Sequence, residues 1–220
     1  MQYEGIVKKL RASANPKNVA GMARFGINPK NTLGVSIPVL RKIAKEIGKD
    51  QSLAQELWKS GIHEARILAA LVGEPGKLTE KQMDSWVKDF DSWDVCDQVC
   101  SNLFDKTPYA YKKAAIWSSN KREFIKRAGY VLMACLSVHD KRDDDKRFSE
   151  FFPLIVKGST DERNFVKKAV NWALRQIGKR NASLNKEAVK TAKKIQLIPS
   201  KSAKWIAADA LREFKLKREK

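Results

Sequence analysis

The sequence predicts an all-α protein, a superhelix of antiparallel helix pairs stacked as an α-solenoid, and three observations carry that expectation. Apolar residues recur at i, i+3, i+4 and i+7 through most of the 220 residues. No stretch alternates convincingly between apolar and polar, and Asn-Gly and Asp-Gly hairpin turns are absent, so no strand is expected. The helical stretches also return at a near-regular interval, with room for a second amphipathic helix between them.

Taken in order, the segments justify themselves. Ser36 stands before Ile37 and Pro38 and opens a helix whose apolar row continues through residues 39–48. A second apolar row covers 65–73, and Thr79 before Glu80 opens a helix over 79–90. Ser92 before Trp93 opens the next, followed by helices over 108–118, 124–136, 145–157, 165–178 and 183–197. Ser200 precedes the last, whose apolar row spans 203–214. The seven prolines fall mostly at helix starts or in connectors, where a missing N–H costs little.

Aligning the core-facing helices on their first strongly apolar segment gives a register. Val39-Leu40-Arg41, Glu64-Ala65-Arg66, Val95-Cys96-Asp97, Ile125-Lys126-Arg127, Val166-Lys167-Lys168 and Ser202-Ala203-Lys204 take equivalent places. Their third residues are 25, 31, 30, 41 and 36 positions apart, the interval of a HEAT-like or armadillo-like repeat. An irregular helical bundle is the competing architecture. The solenoid implies one domain over residues 1–220, with 215–220 a basic tail that is either ordered on phosphate or disordered.

The charge narrows the function. Lys and Arg number 44 against 25 Asp and Glu, a net +19, which favours a polyanionic partner. The skew is local: residues 157–220 hold 18 Lys and Arg against 6 Asp and Glu. A hydrophobic content of 43% and six Trp exclude a mostly disordered basic protein. Three Cys and two His are too few for a zinc finger or a disulfide framework, and no run of apolar residues is long enough for a signal peptide or a membrane span. A cytoplasmic protein without membrane contact is expected.

In a solenoid, equivalent positions form a column along the curve. Here it reads Arg41, Arg66, Asp97, Arg127, Lys168 and Lys204, a track suited to a phosphate backbone with one acid set in it. An acid there repels a polyanion by roughly 1 kcal/mol at short range, so its presence points to a task that needs negative charge beside nucleic acid. Trp93 lies four residues before Asp97 on the same helical face, and Trp172 lies four residues after Lys168. A carboxylate between aromatic walls suits a cationic, sugar-like species. Each Trp also has an ordinary reading as core, each cation as a solvated helix surface, and Asp97 as a partner of Arg127.

These residues carry a resemblance. Ser92-Trp93-Asp94-Val95-Cys96-Asp97 resembles the Trp-Asp-x-x-Asp motif of the AlkD-type alkylpurine DNA glycosylases, and Asn164–Arg175, containing Trp172, is similar to that family's second tryptophan helix. Gly34–Arg41, His63-Glu64-Ala65-Arg66 and Phe124-Ile125-Lys126-Arg127 match as well, so the resemblance runs from about residue 5 to 215. It implies a HEAT-like superhelix that binds duplex DNA and excises N3- and N7-alkylated purines without drawing the base into a tight pocket. By the same resemblance, Asp97 is the essential carboxylate, Trp93 and Trp172 contact the backbone and deoxyribose, and Arg127 holds a phosphate, while Arg41, Arg66, Lys168 and Lys204 line the track.

The inventory is consistent with that chemistry. A cationic purine leaves without a proton, so the second, protonated carboxyl of ordinary glycoside hydrolysis is not required. One ionised acid suffices, with no lysine nucleophile, no metal and no cofactor, and the product is an abasic site. Two thiols four apart, Cys96 and Cys100, suit core packing better than zinc, and His63-Glu64 lacks the second His of a zincin helix. Asp143-Asp144-Asp145 reads as a solvated helix start, and no phosphate-binding, dinucleotide or serine-hydrolase motif is present. The expected partner is duplex DNA carrying alkylated purines, met by a monomer, nucleoid-associated when bound. The alternatives are a non-catalytic HEAT-repeat scaffold that binds nucleic acid or an acidic protein, and an RNA-directed binder.

Overall fold

The computed structural model describes residues 2–141 and 144–216. Arg142 and Asp143 of the acidic run, and residues 217–220 of the basic tail, lie outside the described residues. Among the described residues there is no strand: the elements are α-helices joined by short connectors and three single 3-10 turns. The chain is an all-α HEAT-like repeat protein, and its helices gather into two compact units, Met1–Pro108 and Tyr109–Lys220.

The first unit contains α1 (Tyr3–Ala12), α2 (Pro16–Arg24), α3 (Ile37–Ile47), α4 (Gln51–Lys59), α5 (His63–Val72), α6 (Glu80–Trp86) and α7 (Trp93–Asn102). Packing runs in a row, α3 against α5 and α5 against α7, with α4 laid along α5. The column residues Arg41, Arg66 and Asp97 therefore sit on three successive packed helices. Helix α5 is buried on nearly every side, which its Ala- and Leu-rich sequence foretells. Trp58 stacks on Trp86 with ring centroids 4.1 Å apart, and Phe90 and Phe104 close the same cluster.

The second unit contains α8 (Ala110–Ser118), α9 (Glu123–His139), α10 (Asp145–Ser149), α11 (Phe152–Gly158), α12 (Asn164–Arg180), α13 (Ala182–Gln196) and α14 (Lys201–Leu216). Here α9 packs on α12 and α12 on α14, while α8, α11 and α13 flank that row. Helices α8 and α9 cross closely at Gly129, where a Cβ would stand 2.3 Å from the Ser118 amide nitrogen. Lys215 lies in the last turn of α14, so the basic tail begins within a helix.

The start signals act in different ways. Thr79 forms a full capping box with Gln82, and the Ser200 hydroxyl accepts from the Ala203 amide at 3.3 Å. Ser36 and Ser92 occupy N-cap positions without a side-chain cap bond. The Ser92 hydroxyl instead accepts from the Asn28 amide at 3.0 Å, a long-range use that no local rule foresees. Two expected helices are also shorter than their patterns. Residues 79–90 end as α6 and a 3-10 turn, and 145–157 is broken between α10 and α11. In the latter, Pro153 has no N–H for the Ser149 carbonyl and its ring would clash there, so the chain turns at Glu150 and Phe151 and restarts.

Candidate functional site

Helix α7 buries Val95, Cys96, Val99 and Cys100. That apolar stripe turns the other row outward: Trp93, Asp97 and Ser101, spaced by four and each part-exposed. The pairing of Trp93 with Asp97 on one face is thus a consequence of where the cysteines and valines must go. Both thiols are wholly buried, the packing role expected for them.

What fixes this row is the connector between α2 and α3, residues 25–36. The Trp93 indole N–H donates to the Phe25 carbonyl at 3.0 Å, and the Asn28 side chain donates to Asp91 at 2.9 Å. Farther along, the buried Glu64 carboxylate accepts from three successive amides, Leu33 at 2.9 Å, Gly34 at 2.6 Å and Val35 at 3.2 Å. Gly34 adopts φ +78, and a Cβ on it would lie 2.2 Å from the Asn15 carbonyl oxygen, so only glycine fits. Two segments that the resemblance matched separately, Gly34–Arg41 and His63–Arg66, are therefore one piece of structure joined through Glu64.

Helices α5 and α7 are joined by a part-buried pair. His63 Nε2 lies 2.8 Å from Asp94 Oδ2, with the imidazole almost fully enclosed. Burial works against a charged imidazole, but the bond to Asp94 and the charges of Asp94, Glu64 and Asp91 outweigh it and hold His63 above its ordinary value. His63 is too enclosed to meet a ligand; it fastens the start of α7, three residues before Asp97. Arg66 is committed in a similar way: its guanidinium donates to the Asp89 carbonyl at 3.0 Å and stands over the Trp58 ring at 5.4 Å, while the Trp58 indole donates to the Asp89 carboxylate at 2.9 Å. Its side chain keeps part of its surface in solvent.

In the second unit Lys168 and Lys204 are exposed, and Trp172 is part-exposed one turn after Lys168. Arg41, on α3, is exposed as well. Arg127 departs from the expected DNA-facing position. It is 5% exposed, and its guanidinium donates to the Phe165 carbonyl at 2.5 Å. The reason lies in α9, which is apolar all round from Ala128 to Ser137, so its column position faces α12 and not solvent. Arg127 ties α9 to the start of α12, the helix that carries Lys168 and Trp172.

Among the described residues no group of three or more His, Cys, Asp or Glu is arranged to hold a metal ion. Sequence reasoning missed Glu64 and the Asp94–His63 pair as organisers, and it missed two exposed aromatics, Phe25 (73% exposed) and Trp205 (41% exposed). The sequence signal for Phe25 is weak, since it follows a helix with no buried residue. Trp205 was readable, because the helical spacing of 203–214 places it off the apolar row.

The family described as DNA alkylation repair enzyme matches residues 6–214. The chain belongs to that family. A solved protein described as "a new family of proteins related to the HEAT-like repeat DNA glycosylases with affinity for branched DNA structures" superposes with a TM-score of 0.81 at 20% identity, over 97% of this chain and 95% of that one. A designed armadillo repeat protein in complex with the peptide (KR)4 gives 0.38 at 15% identity, over 96% and 92%, too distant to bear on the fold. No curated protein matches the chain. Membership in the DNA alkylation repair family accounts for the HEAT-like helix pairs and for the segments matched in the sequence.

Proposed function

We propose that the protein hydrolyses the N-glycosidic bond of cationic N3- and N7-alkylated purines in duplex DNA, as a monofunctional glycosylase. The observation that carries this reading is the outward pairing of Trp93 and Asp97 on α7, with the Trp93 ring pinned through its N–H to Phe25. A pinned indole next to a part-exposed carboxylate offers an apolar wall and a negative charge to one sugar.

The C1′–N bond breaks with its electron pair passing to the purine, whose positive charge is thereby neutralised. The sugar left behind is electron-poor, and Asp97 stabilises it electrostatically while orienting a water. Water oxygen bonds to C1′, its proton passes to Asp97 and on to solvent, and an abasic site remains. Trp93 and Trp172 contact the deoxyribose and backbone. Arg41, Arg66, Lys168 and Lys204 contact phosphates, and Arg127 acts as a positioning residue for α12.

Incubation with duplex DNA bearing 7-methylguanine tests this directly. Wild type releases the free base, and Asp97→Asn slows release at least about 100-fold while duplex affinity stays intact or tightens. Release by the variant at the wild-type rate overturns the assignment. The second reading, a DNA binder without excision, is favoured by the large positive charge and by the branched-DNA affinity of the solved relative. Its signature is salt-dependent binding with no base released by wild type.

A further inference from the structure

We infer that the outward face of α14 is a stacking site for an unpaired nucleotide, with the Trp205 indole as platform and Lys167, Lys201 and Lys204 as phosphate contacts. The inference rests on the reading of the chain as a DNA-binding protein and adds to it a strand whose bases are accessible.

Helix α14 packs through Ser202, Ala203, Ile206, Ala207, Ala210 and Phe214. The opposite row, Lys201, Lys204, Trp205, Ala208 and Arg212, is exposed. An indole in the middle of that row is not required by the core. It carries a large apolar face in water, 41% exposed, among cations. The Lys167 ammonium reaches across from α12 to stand 5.2 Å from the ring centroid. Ala208, about one turn further on, is small and leaves space beside the ring for a second flat group.

The nearby acids are occupied with the fold. Glu162 accepts from the Ser200 hydroxyl at 2.8 Å and the Ser202 amide at 3.1 Å, and so caps the start of α14. Lys167 and Lys201 both lie within electrostatic reach of Glu162, which places the two cations around the same helix end. Asp209 is held by Asn171 at 2.7 Å and Arg175 at 3.0 Å, and by Arg212. The lysines around Trp205 are left as a cationic rim to a single π surface.

The chemistry selects the ligand. In a paired duplex the base faces are stacked on one another, and an indole meets only sugar and phosphate edges. An unpaired base offers its own face, and stacking on Trp tolerates any base because each has one. Lysines beside the ring then hold the flanking phosphates as point charges. An acidic peptide would use the lysines but has no systematic use for the ring.

Fluorescence anisotropy on a blunt duplex and on the same duplex with a single-stranded extension of about ten nucleotides tests the site. The extension tightens wild-type binding about tenfold. Trp205→Ala loses most of that gain, keeps blunt-duplex affinity within about twofold and melts near the wild-type temperature; Trp205→Phe keeps part of the gain. No gain in wild type, or an equal loss on both DNAs in Trp205→Ala, overturns the inference, as does displacement of the bound extension by polyglutamate but not by oligothymidylate. Asp97→Asn separates this from the excision reading: it retains the tenfold gain whether or not base release depends on Asp97.

Discussion

Residues 1–108 carry 16 Lys and Arg against 13 Asp and Glu, a net +3, whereas residues 109–220 carry 28 against 12, a net +16. The two units also place their acids differently. In the first, Glu64, Asp89, Asp91 and Asp94 accept hydrogen bonds from backbone amides, side-chain amide, indole and imidazole groups, and so hold a connector and two helix starts in place. In the second, Asp161 takes Lys126 and Arg163, Glu213 takes Arg175 and Lys179, and Asp209 takes Arg175 and Arg212, while Glu162 caps the start of α14. The difference teaches that one unit spends carboxylates on rigidity around Asp97, and the other uses them to align helices that leave lysines outward.

The largest effect expected of that contrast falls on Glu64. Replacing it by Gln removes the charge that three amides point at and costs about 2–3 kcal/mol in urea unfolding, against under about 0.5 kcal/mol for the exposed Glu56→Gln. Equal costs would break the view of Glu64 as an organiser. Next, Lys168→Gln with Lys204→Gln lowers the slope of log affinity against log salt by about 1.8, since each phosphate contact contributes about 0.9. Arg127→Gln lowers stability by about 1–3 kcal/mol and leaves that slope unchanged; a flatter slope with stability intact would return Arg127 to the phosphate track.

The smallest effect is a pH dependence. His63 is held above its ordinary value of 6.5, so its stabilisation is complete below that pH and is lost as pH rises through the folded value. The stability difference between wild type and His63→Gln should therefore shrink as pH rises above about 6.5. A difference that widens over this range sinks the His63–Asp94 account.

Much of the architecture was legible because helix period and column spacing are local or repeat-level signals. The helices bearing Arg41, Arg66, Asp97, Lys168 and Lys204 form where the apolar rows place them, and Trp93 joins Asp97 on one face by helical spacing alone. What stayed hidden depends on partners far along the chain. Glu64 reads as one acid in a helix start until residues 33–35, about 30 positions earlier, bring their amides to it. Arg127 reads as one more cation until the Phe165 carbonyl, 38 residues on, claims it. The sequence did contain one overlooked cue there: α9 is too uniformly apolar to spare a solvent face.

Cys96 and Cys100 lie directly beneath the row that displays Asp97, and Cys135 is enclosed in α9. Conditions that alkylate DNA also bring methylating electrophiles to proteins, and sulfur in its thiolate form is their preferred target. Shielded sulfur reacts only as fast as the surrounding helices open. The thiols of Cys96, Cys100 and Cys135 are thus screened from such reagents for as long as these helices stay closed, and the described surface offers them no cysteine sulfur.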